Sequence, residues 1–382
     1  MSRAWDRPSD DPELLRCFQI LDLPELPARV LAVGTGLDPA ELEYLSTRHG
    51  GTKTGLLRLG DDLFGWTPEP PPLPPPWEEP ARLTARRIGE DLLTTLDTAC
   101  DLLARPVDGF DHHIDAQTLP PIRFADPSQA TAWLRAHLPV SLAAVRATGM
   151  ARLSTLATAL SARLWACVPT DAPGRWALDL TDAGTRAAVD ARKPHLLARL
   201  LGASARWFAT HGDHATAEAH GVREWAVWKE LHDTDGMIDT LWRRARLYRE
   251  AGRGNRELDC HQRLLSLYRR TGDRFGLARA QAARGVALLA AGRTRDGAEQ
   301  LREAARSAAD PGDFPQVPPG ELAAVLETLG RAFWSIGSTG AARRQFSGAL
   351  RLLVDVDEQA AHRIRTLLAT PDGRPLPADP DA

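Results

Sequence analysis

Residues 268–301 read YRRTGDRFGLARAQAARGVALLAAGRTRDGAEQL, and the glycines of this stretch keep a register with glycines well outside it. Gly212, Gly252 and Gly292 are spaced by 40; so are Gly236 and Gly276, and Gly272 and Gly312. A fixed period of this size marks an array of stacked supersecondary units, each too small to bury its apolar face alone. Aligning on Gly212, Gly252, Gly292 and Gly337, four columns agree. Seven residues before the Gly stand Ala205, Ala245, Gly285 and Gly330, small enough for a second helix to pack closely. Four before stand Phe208, Tyr248, Leu288 and Phe333, large enough to fill the interface, and thirteen after stand Trp225, Leu265, Ala305 and Leu350. One helix, a Gly turn and a second helix make the unit.

Working outward, residues 79 to about 368 carry apolar stripes at i, i+3, i+4 and i+7, the period of amphipathic helices. The stretch 105–127 interrupts them, and Asp126-Pro127 predicts the start of a new helix. Before it, PEPPPLPPPW at 68–77 cannot be helix or central strand, because proline lacks the N–H and fixes φ. It reads as a stiff spacer, with a ligand for an SH3 or WW domain as the functional alternative. Between 12 and 66 the elements are short: helical ELLRCFQILDLP, apolar ARVLAVG, and LDPAELEYLS, where Asp38 can cap a helix begun by Pro39. GLLRLGDDLFGWTP then suits a small hairpin around Gly60-Asp61.

The whole chain has 382 residues and a formal net charge of −3, so no global basic field is available to hold a phosphate backbone. Its cationic residues are nearly all arginine, with only Lys53, Lys193 and Lys229 as lysines. Cys17, Cys100, Cys167 and Cys260 are scattered singly, which predicts reduced thiols in a cytoplasmic protein. The first residues, MSRAWDRPSDD, carry acidic groups before any apolar run, unlike a secretory signal, and no later run has the length of a membrane span.

The small–aromatic–Gly columns resemble the tetratricopeptide (TPR) repeat, with a period of 40 in place of the usual 34. FADPSQATAWLRAHLPVSLAAVRAT, followed by ALSARLW and GRWALDL, is similar to the start of the TPR region in actinobacterial NB-ARC–TPR regulators of antibiotic synthesis, often joined to a SARP-type DNA-binding domain. LLRCFQILDLPELPARVLAVGTGLDPAELEYL resembles the winged-helix subdomain that precedes that region. The resemblance covers about residues 12–365. The family's ATP-binding half has no counterpart here: HGGTKTG at 49–55 has Thr52 where a phosphate loop needs Gly, and LFGWTP stands in place of the family's His-Asp pair. The resemblance therefore implies the sensor-like, partner-binding end of such a regulator, without its nucleotide switch or its SARP domain.

The candidate sites divide sharply. His112-His113 with Asp111 and Asp115 is the best metal-like cluster, but adjacent histidines seldom face one ion, and no metal or other cofactor is expected. His211, His214 and His220 flank a turn, where solvent contact is the expectation; His261 falls on an inward face, as a hydrogen-bonded core residue. Cys260 and His261 point about 100° apart on a helix and cannot act as nucleophile and base together. On the first helix of each unit, which lines the concave groove in TPR proteins, Arg206, Arg246 and Arg331 share one position. Trp242 and Glu327 share another, Arg249 and Trp334 a third, with Arg243 beside them. Residues 242–284 hold twelve Arg against four acidic residues. Guanidinium forks with indoles suit carboxylates, phosphates or an acidic peptide; Arg on every solvated face, from coding bias, is the plain alternative.

The expected fold is mainly α: a winged-helix-like unit at 1–67, a proline-rich linker at 68–78, a helical connector at 79–127, a TPR-like superhelix at 128–368 and a disordered tail at 369–382. The expected function is a non-enzymatic TPR binding protein, accessory or regulatory in specialised metabolism, holding a peptide or protein partner in a groove lined by Arg206, Trp242, Arg243, Arg246, Arg249, Arg331 and Trp334. The alternatives are a small-molecule sensor enclosed by the superhelix and an enzyme recruited from a regulator scaffold to act on a peptide or metabolite. Sequence-specific nucleic acid is not an expected partner, because Glu41 and Glu43 open the presumed recognition helix PAELEYLSTRH. Membrane binding is not expected either.

Overall fold

The computed structural model describes residues 10–49, 55–60, 62–67, 72, 77–105, 107, 119–308, 314–372 and 374–376. The chain is mainly α, with a small sheet near its N-terminus, and falls into two compact units, Met1–Leu231 and His232–Ala382. Three sequence features lie outside the described residues: the phosphate-loop-like run at 50–54, the His112-His113 cluster, and most of the proline stretch.

The first unit opens with α1 (Asp10–Leu21), β1 (Glu25–Pro27), α2 (Ala28–Thr35), α3 (Pro39–His49), β2 (Gly55–Arg58) and β3 (Leu63–Thr67). The strands are antiparallel in the order β1-β3-β2, with Leu26 opposite Phe64 and Leu56 opposite Trp66. These short helices and the three-stranded sheet occupy the segment expected as a small winged-helix-like unit. Its hairpin follows the sequence reading, but β1 was not anticipated; three residues ending in proline carry little strand signal, and only an edge strand tolerates Pro27. At the start of α3, the Glu41 amide donates to Asp38 Oδ1 and the Asp38 amide to Glu41 Oε2, both at 2.8 Å, a reciprocal capping box.

The long helix α4 (Glu79–Leu102) packs directly on α1 and α2. A Cβ on Gly34 of α2 would lie 2.6 Å from Cys17 Sγ and 3.3 Å from Ile88, so the helices meet through bare backbone. Arg29 clamps the contact, giving Nε to Asp91 Oδ2 at 2.9 Å and one terminal nitrogen to the Pro120 carbonyl at 2.8 Å. The segment expected as a connector thus shares a core with the segment before it. Next come α5 (Pro127–Met150), α6 (Ser154–Cys167), α7 (Gly174–Asp190), α8 (Pro194–Thr210) and α9 (His214–Glu230). Asp126 caps α5 through Oδ1 to the Gln129 amide at 2.8 Å, as its sequence predicts.

The second unit contains α10 (Thr234–Glu250), α11 (Gly254–Thr271), α12 (Arg274–Ala290), α13 (Thr294–Ser307), α14 (Pro319–Ser335), α15 (Thr339–Leu353) and α16 (Glu358–Ala369). Pairs α10/α11, α12/α13 and α14/α15 are antiparallel neighbours, and α8/α9 form the same pair in the first unit.

From α6 to α13 every helix begins 20 residues after the last, at 154, 174, 194, 214, 234, 254, 274 and 294. The 40-residue period is therefore two halves, typically a 17-residue helix and a three-residue turn. The turns close alike. Gly252 has φ +67°, its amide reaches the Arg249 carbonyl at 3.0 Å, and the Arg253 amide reaches the Tyr248 carbonyl at 2.7 Å. These two bonds define the Schellman ending, which puts one residue in the left-handed region. Gly212, Gly272, Gly292 and Gly337 occupy that place, but so do Arg152, Arg192 and His232, at φ +54° to +59°. At Gly212, Gly252, Gly292 and Gly337 the large residue four before the glycine has two roles: its side chain is buried between helices, and its carbonyl closes the turn.

The described part of the segment expected as a disordered tail lies against the second unit. Arg343 donates to the carbonyls of Leu368 at 2.6 Å and Thr370 at 2.9 Å and pairs with Asp372 at 3.0 Å. Trp334 Nε1 donates to the Arg374 carbonyl at 2.9 Å, and Leu376 packs on the core of α14 to α16. A run rich in Pro and Asp carries no helical period, so its docking through Arg343 and Trp334 is invisible in the sequence.

Candidate functional site: an arginine-rich groove in the second unit

The alternate helices α10, α12 and α14 line one concave space of about 900 Å³. Each contributes a stripe at helical spacing. Trp242, Arg246 and Arg249 come from α10; Phe275, Arg279, Ala282 and Val286 from α12; Glu321, Val325 and Thr328 from α14. Arg243 and Glu250 flank the first stripe, and His261 of α11 lies at the floor. Apolar groups thus form the middle, with four guanidiniums on the α10 and α12 walls and one carboxylate on α14.

Trp242 is held from two sides. Its Nε1 donates to the Tyr268 hydroxyl at 2.9 Å, and its ring meets the His261 imidazole edge-on with centroids 5.6 Å apart. Over its face sits the Arg279 guanidinium, 4.6 Å from the ring centroid, within cation–π range. Stacking fixes the guanidinium plane and leaves its donor edge for an oxygen ligand. The other arginines already have partners. Arg246 Nε bonds Glu250 at 2.8 Å, with its side chain 81% exposed; Arg249 Nε bonds Glu257 at 2.8 Å; Arg243 donates to Thr240 Oγ1 at 3.2 Å.

Glu257 is 5% exposed. Burial by itself raises its carboxyl, but hydrogen bonding to His261 and Arg249 outweighs burial and holds it below the ordinary value. The His261 contact is a loose one, Nε2 to Oε1 at 3.5 Å, and both ring nitrogens otherwise lack a hydrogen-bond partner. His261 is the buried histidine foreseen, without the close hydrogen bond. Burial also raises the Tyr268 phenol, more than the Trp242 hydrogen bond lowers it.

Four of the seven residues picked from sequence, Trp242, Arg243, Arg246 and Arg249, meet in this groove. The other three do not. Arg331 is mostly buried and doubly bonded to Glu327, at 2.9 and 3.1 Å. Trp334 is covered, with Arg343 over its ring at 5.6 Å and the Arg374 carbonyl on its indole. Arg206 lies exposed on α8, in the first unit. Column equivalence failed because α14 turns only its N-terminal half, Glu321 to Thr328, to the groove. Arg279 was missed; the stripe Phe275, Arg279, Ala282, Val286 would have found it.

The histidines around the turn after α8 are packed, not simply solvated. His211 stacks on Trp207 with centroids 3.8 Å apart, and its Nε2 lies 2.6 Å from the Thr170 carbonyl. His220 Nδ1 lies 2.8 Å from Ser204 Oγ, which lies 2.8 Å from Thr181 Oγ1, which donates to the Ala177 carbonyl. The chain ends on an acceptor, so protons run one way and His220 carries its proton on Nδ1. A serine beside an imidazole has the reach of a nucleophile and base. Ser204, however, is 0% exposed and lines neither the groove nor the smaller cleft by Pro139 and Trp176, so the network holds α7, α8 and α9 together.

Among the described residues, no helix is long and apolar enough to cross a membrane, and no three His, Cys, Asp or Glu converge as metal ligands. No family model and no curated protein sequence matches the chain. Among solved structures it is similar to a Signal Transduction ATPase with Numerous Domains (STAND) protein with a tetratricopeptide repeat sensor from Pyrococcus horikoshii, at 10% identity and a TM-score of 0.40. The match covers 94% of this chain and 53% of that one, so this chain spans about half that protein's length.

Proposed function

We propose that the chain is a TPR-type binding protein whose second unit holds an acidic segment of a partner protein, in an accessory or regulatory role in specialised metabolism. The observation that carries this is the groove: four guanidiniums, one of them stacked on an anchored tryptophan, share it with apolar groups of α12 and α14. Backbone and side chains of a peptide fit such an open trough, and carboxylates match the guanidinium forks. The small winged-helix-like unit serves packing in this reading. A second reading, a small-molecule sensor, is favoured by the volume of the groove, which lies in the range of small-ligand sites.

A peptide array of matched acidic, neutral and basic segments, probed with the full chain at low and raised salt, separates the readings. The expected result is retention of acidic segments, weakened by salt and lost in Arg279→Ala. Retention that ignores peptide charge overturns the proposal. Absence of any retained peptide, with a small molecule carried through purification in native mass spectra, transfers the groove to the second reading.

A further inference from the structure

Two of the four cysteines, far apart in sequence, meet in the first unit. Cys100 lies in the last turn of α4 and Cys167 is the last residue of α6, and these helices pack side by side. Their sulfurs converge on one oxygen, the Arg163 carbonyl, at 3.7 Å from Cys100 and 3.0 Å from Cys167. Each thiol is also the leading influence on the other's ionisation. Two cations flank them: Arg105 donates to the Ala166 carbonyl at 3.2 Å, and Arg163 pairs with Asp97 at 2.8 Å. Both thiols are 3% exposed or less, but each belongs to a helix end, where backbone bonds are fewest and opening is easiest.

We propose that Cys100 and Cys167 form an oxidisable dithiol, a modification site that closes to a disulfide between α4 and α6 by exchange with a low-molecular-weight disulfide. The Cys100 thiolate attacks one sulfur of R–S–S–R, forming a mixed disulfide and expelling RS⁻, which takes up the proton Cys100 gave to water. Cys167, losing its proton in turn, attacks the Cys100 sulfur and expels the second RS⁻. The protein dithiol is oxidised by two electrons, and the small disulfide is reduced to two thiols.

The electrostatics favour this order of attack. Interaction with the Cys167 side chain holds the Cys100 thiol below its ordinary value, while interaction with Cys100 and burial push the Cys167 thiol well above it. Burial pushes Cys17 up to about 12 and Cys260 up to about 11, which leaves those two thiols unreactive near neutral pH.

The test treats the reduced full chain with oxidised glutathione, blocks remaining thiols by alkylation, and maps tryptic peptides by mass spectrometry. The expected product lacks two hydrogens, carries two alkylated thiols at Cys17 and Cys260, and yields one cross-linked pair containing Cys100 and Cys167. Dithiothreitol restores four alkylation sites. Cys167→Ala is expected to stop at a glutathione adduct on Cys100, and Cys260→Ala to cross-link as the parent does. The map of the unaltered chain decides the matter whether or not the variants fold. Four free thiols after equilibration, a lasting adduct in the parent, or a cross-link through Cys17 or Cys260 each overturns the proposal.

Discussion

A methyl group added to Gly285 would lie 3.3 Å from the carbonyl oxygen of Gly297, and one added to Gly297 would lie 3.0 Å from the carbonyl oxygen of Gly285. The backbones of α12 and α13 therefore cross with no side chain between them. Leu301 and Leu289 close over the gap, each leaving less than 3 Å to the added methyl. Alanine ordinarily favours a helix over glycine by about 1 kcal/mol. Here overpacking wins, and Gly285→Ala or Gly297→Ala should each lower unfolding free energy by about 1–3 kcal/mol in urea titrations. Gly320, which has open space around it, supplies the control. Equal effects of alanine at 285 and 320 would refute the close crossing.

Tyr248 and Arg246 sit two residues apart on α10 and should separate folding from binding. The Tyr248 ring is buried and its hydroxyl accepts from Arg244 at 3.0 Å, so Tyr248→Ala should cost about 3–5 kcal/mol through the cavity left behind. Arg246→Ala removes an exposed ion pair and should change stability by less than about 1 kcal/mol. Binding of an acidic peptide should weaken in Arg246→Ala while its melting curve stays unchanged. A melting curve that moves more in Arg246→Ala than in Tyr248→Ala would reverse the assignment of faces.

His220 predicts a pH dependence. Burial, helped by the charge of Arg223, holds its imidazole below the ordinary 6.5, against Asp182 and Asp213. The unfolded chain then takes up the proton first as the solution is acidified. The stability tied to a neutral His220 is complete above pH 6.5 and is lost on acidification through the folded value. Burial shifts His137 in the same direction, so replacing one histidine removes part of the slope. Denaturant midpoints between about pH 7.5 and 5 should fall on acidification, and less steeply in His220→Gln. A parallel slope in the variant would remove His220 from the account.

Arg192 holds φ +54° in the same turn geometry that glycine fills elsewhere. A side chain there costs roughly 1 kcal/mol against the left-handed backbone. Arg192→Gly should raise the thermal midpoint, and Gly292→Ala should lower it. Both are read by differential scanning calorimetry, and a loss of stability in Arg192→Gly would show that the arginine side chain, not the turn, sets the energetics.

The period was legible because three turns happen to use glycine at the same phase. It was legible only in part: at the half-period phase Arg152, Arg192 and His232 make the turn without glycine, and Gly272 alone of these four turns marks the 20-residue step. Packing columns also read well, because only a small residue permits the crossing and only a large one fills the gap; Gly297 and Tyr268 were missed, being partners across the pair and not members of a column. The groove was half legible. Trp242, Arg243, Arg246 and Arg249 share a helix and so stay together, whereas Arg331 and Trp334 were assigned by repeat equivalence alone. Side-chain pairing broke that equivalence: Glu327 takes Arg331, and the returning chain at Arg374 takes Trp334.

The even spacing of helix starts turns the chain into a ruler with two kinds of mark. Removing 40 residues, such as 252–291, would join α10 to the Gly292 turn and α13, so a groove-lining helix would still be followed by a backing helix. Removing 20 would set a backing helix where a lining helix is due and turn its polar face inward. The distance from Gly292 to Gly337 is 45 residues, five more than the period, so the ruler slips once, between α13 and α14. That is the place where length has been added without disturbing phase on either side. Length is thus free to vary at a joint between pairs and fixed within them, which is how such an array can be lengthened or shortened by whole pairs while each surviving stripe keeps its side.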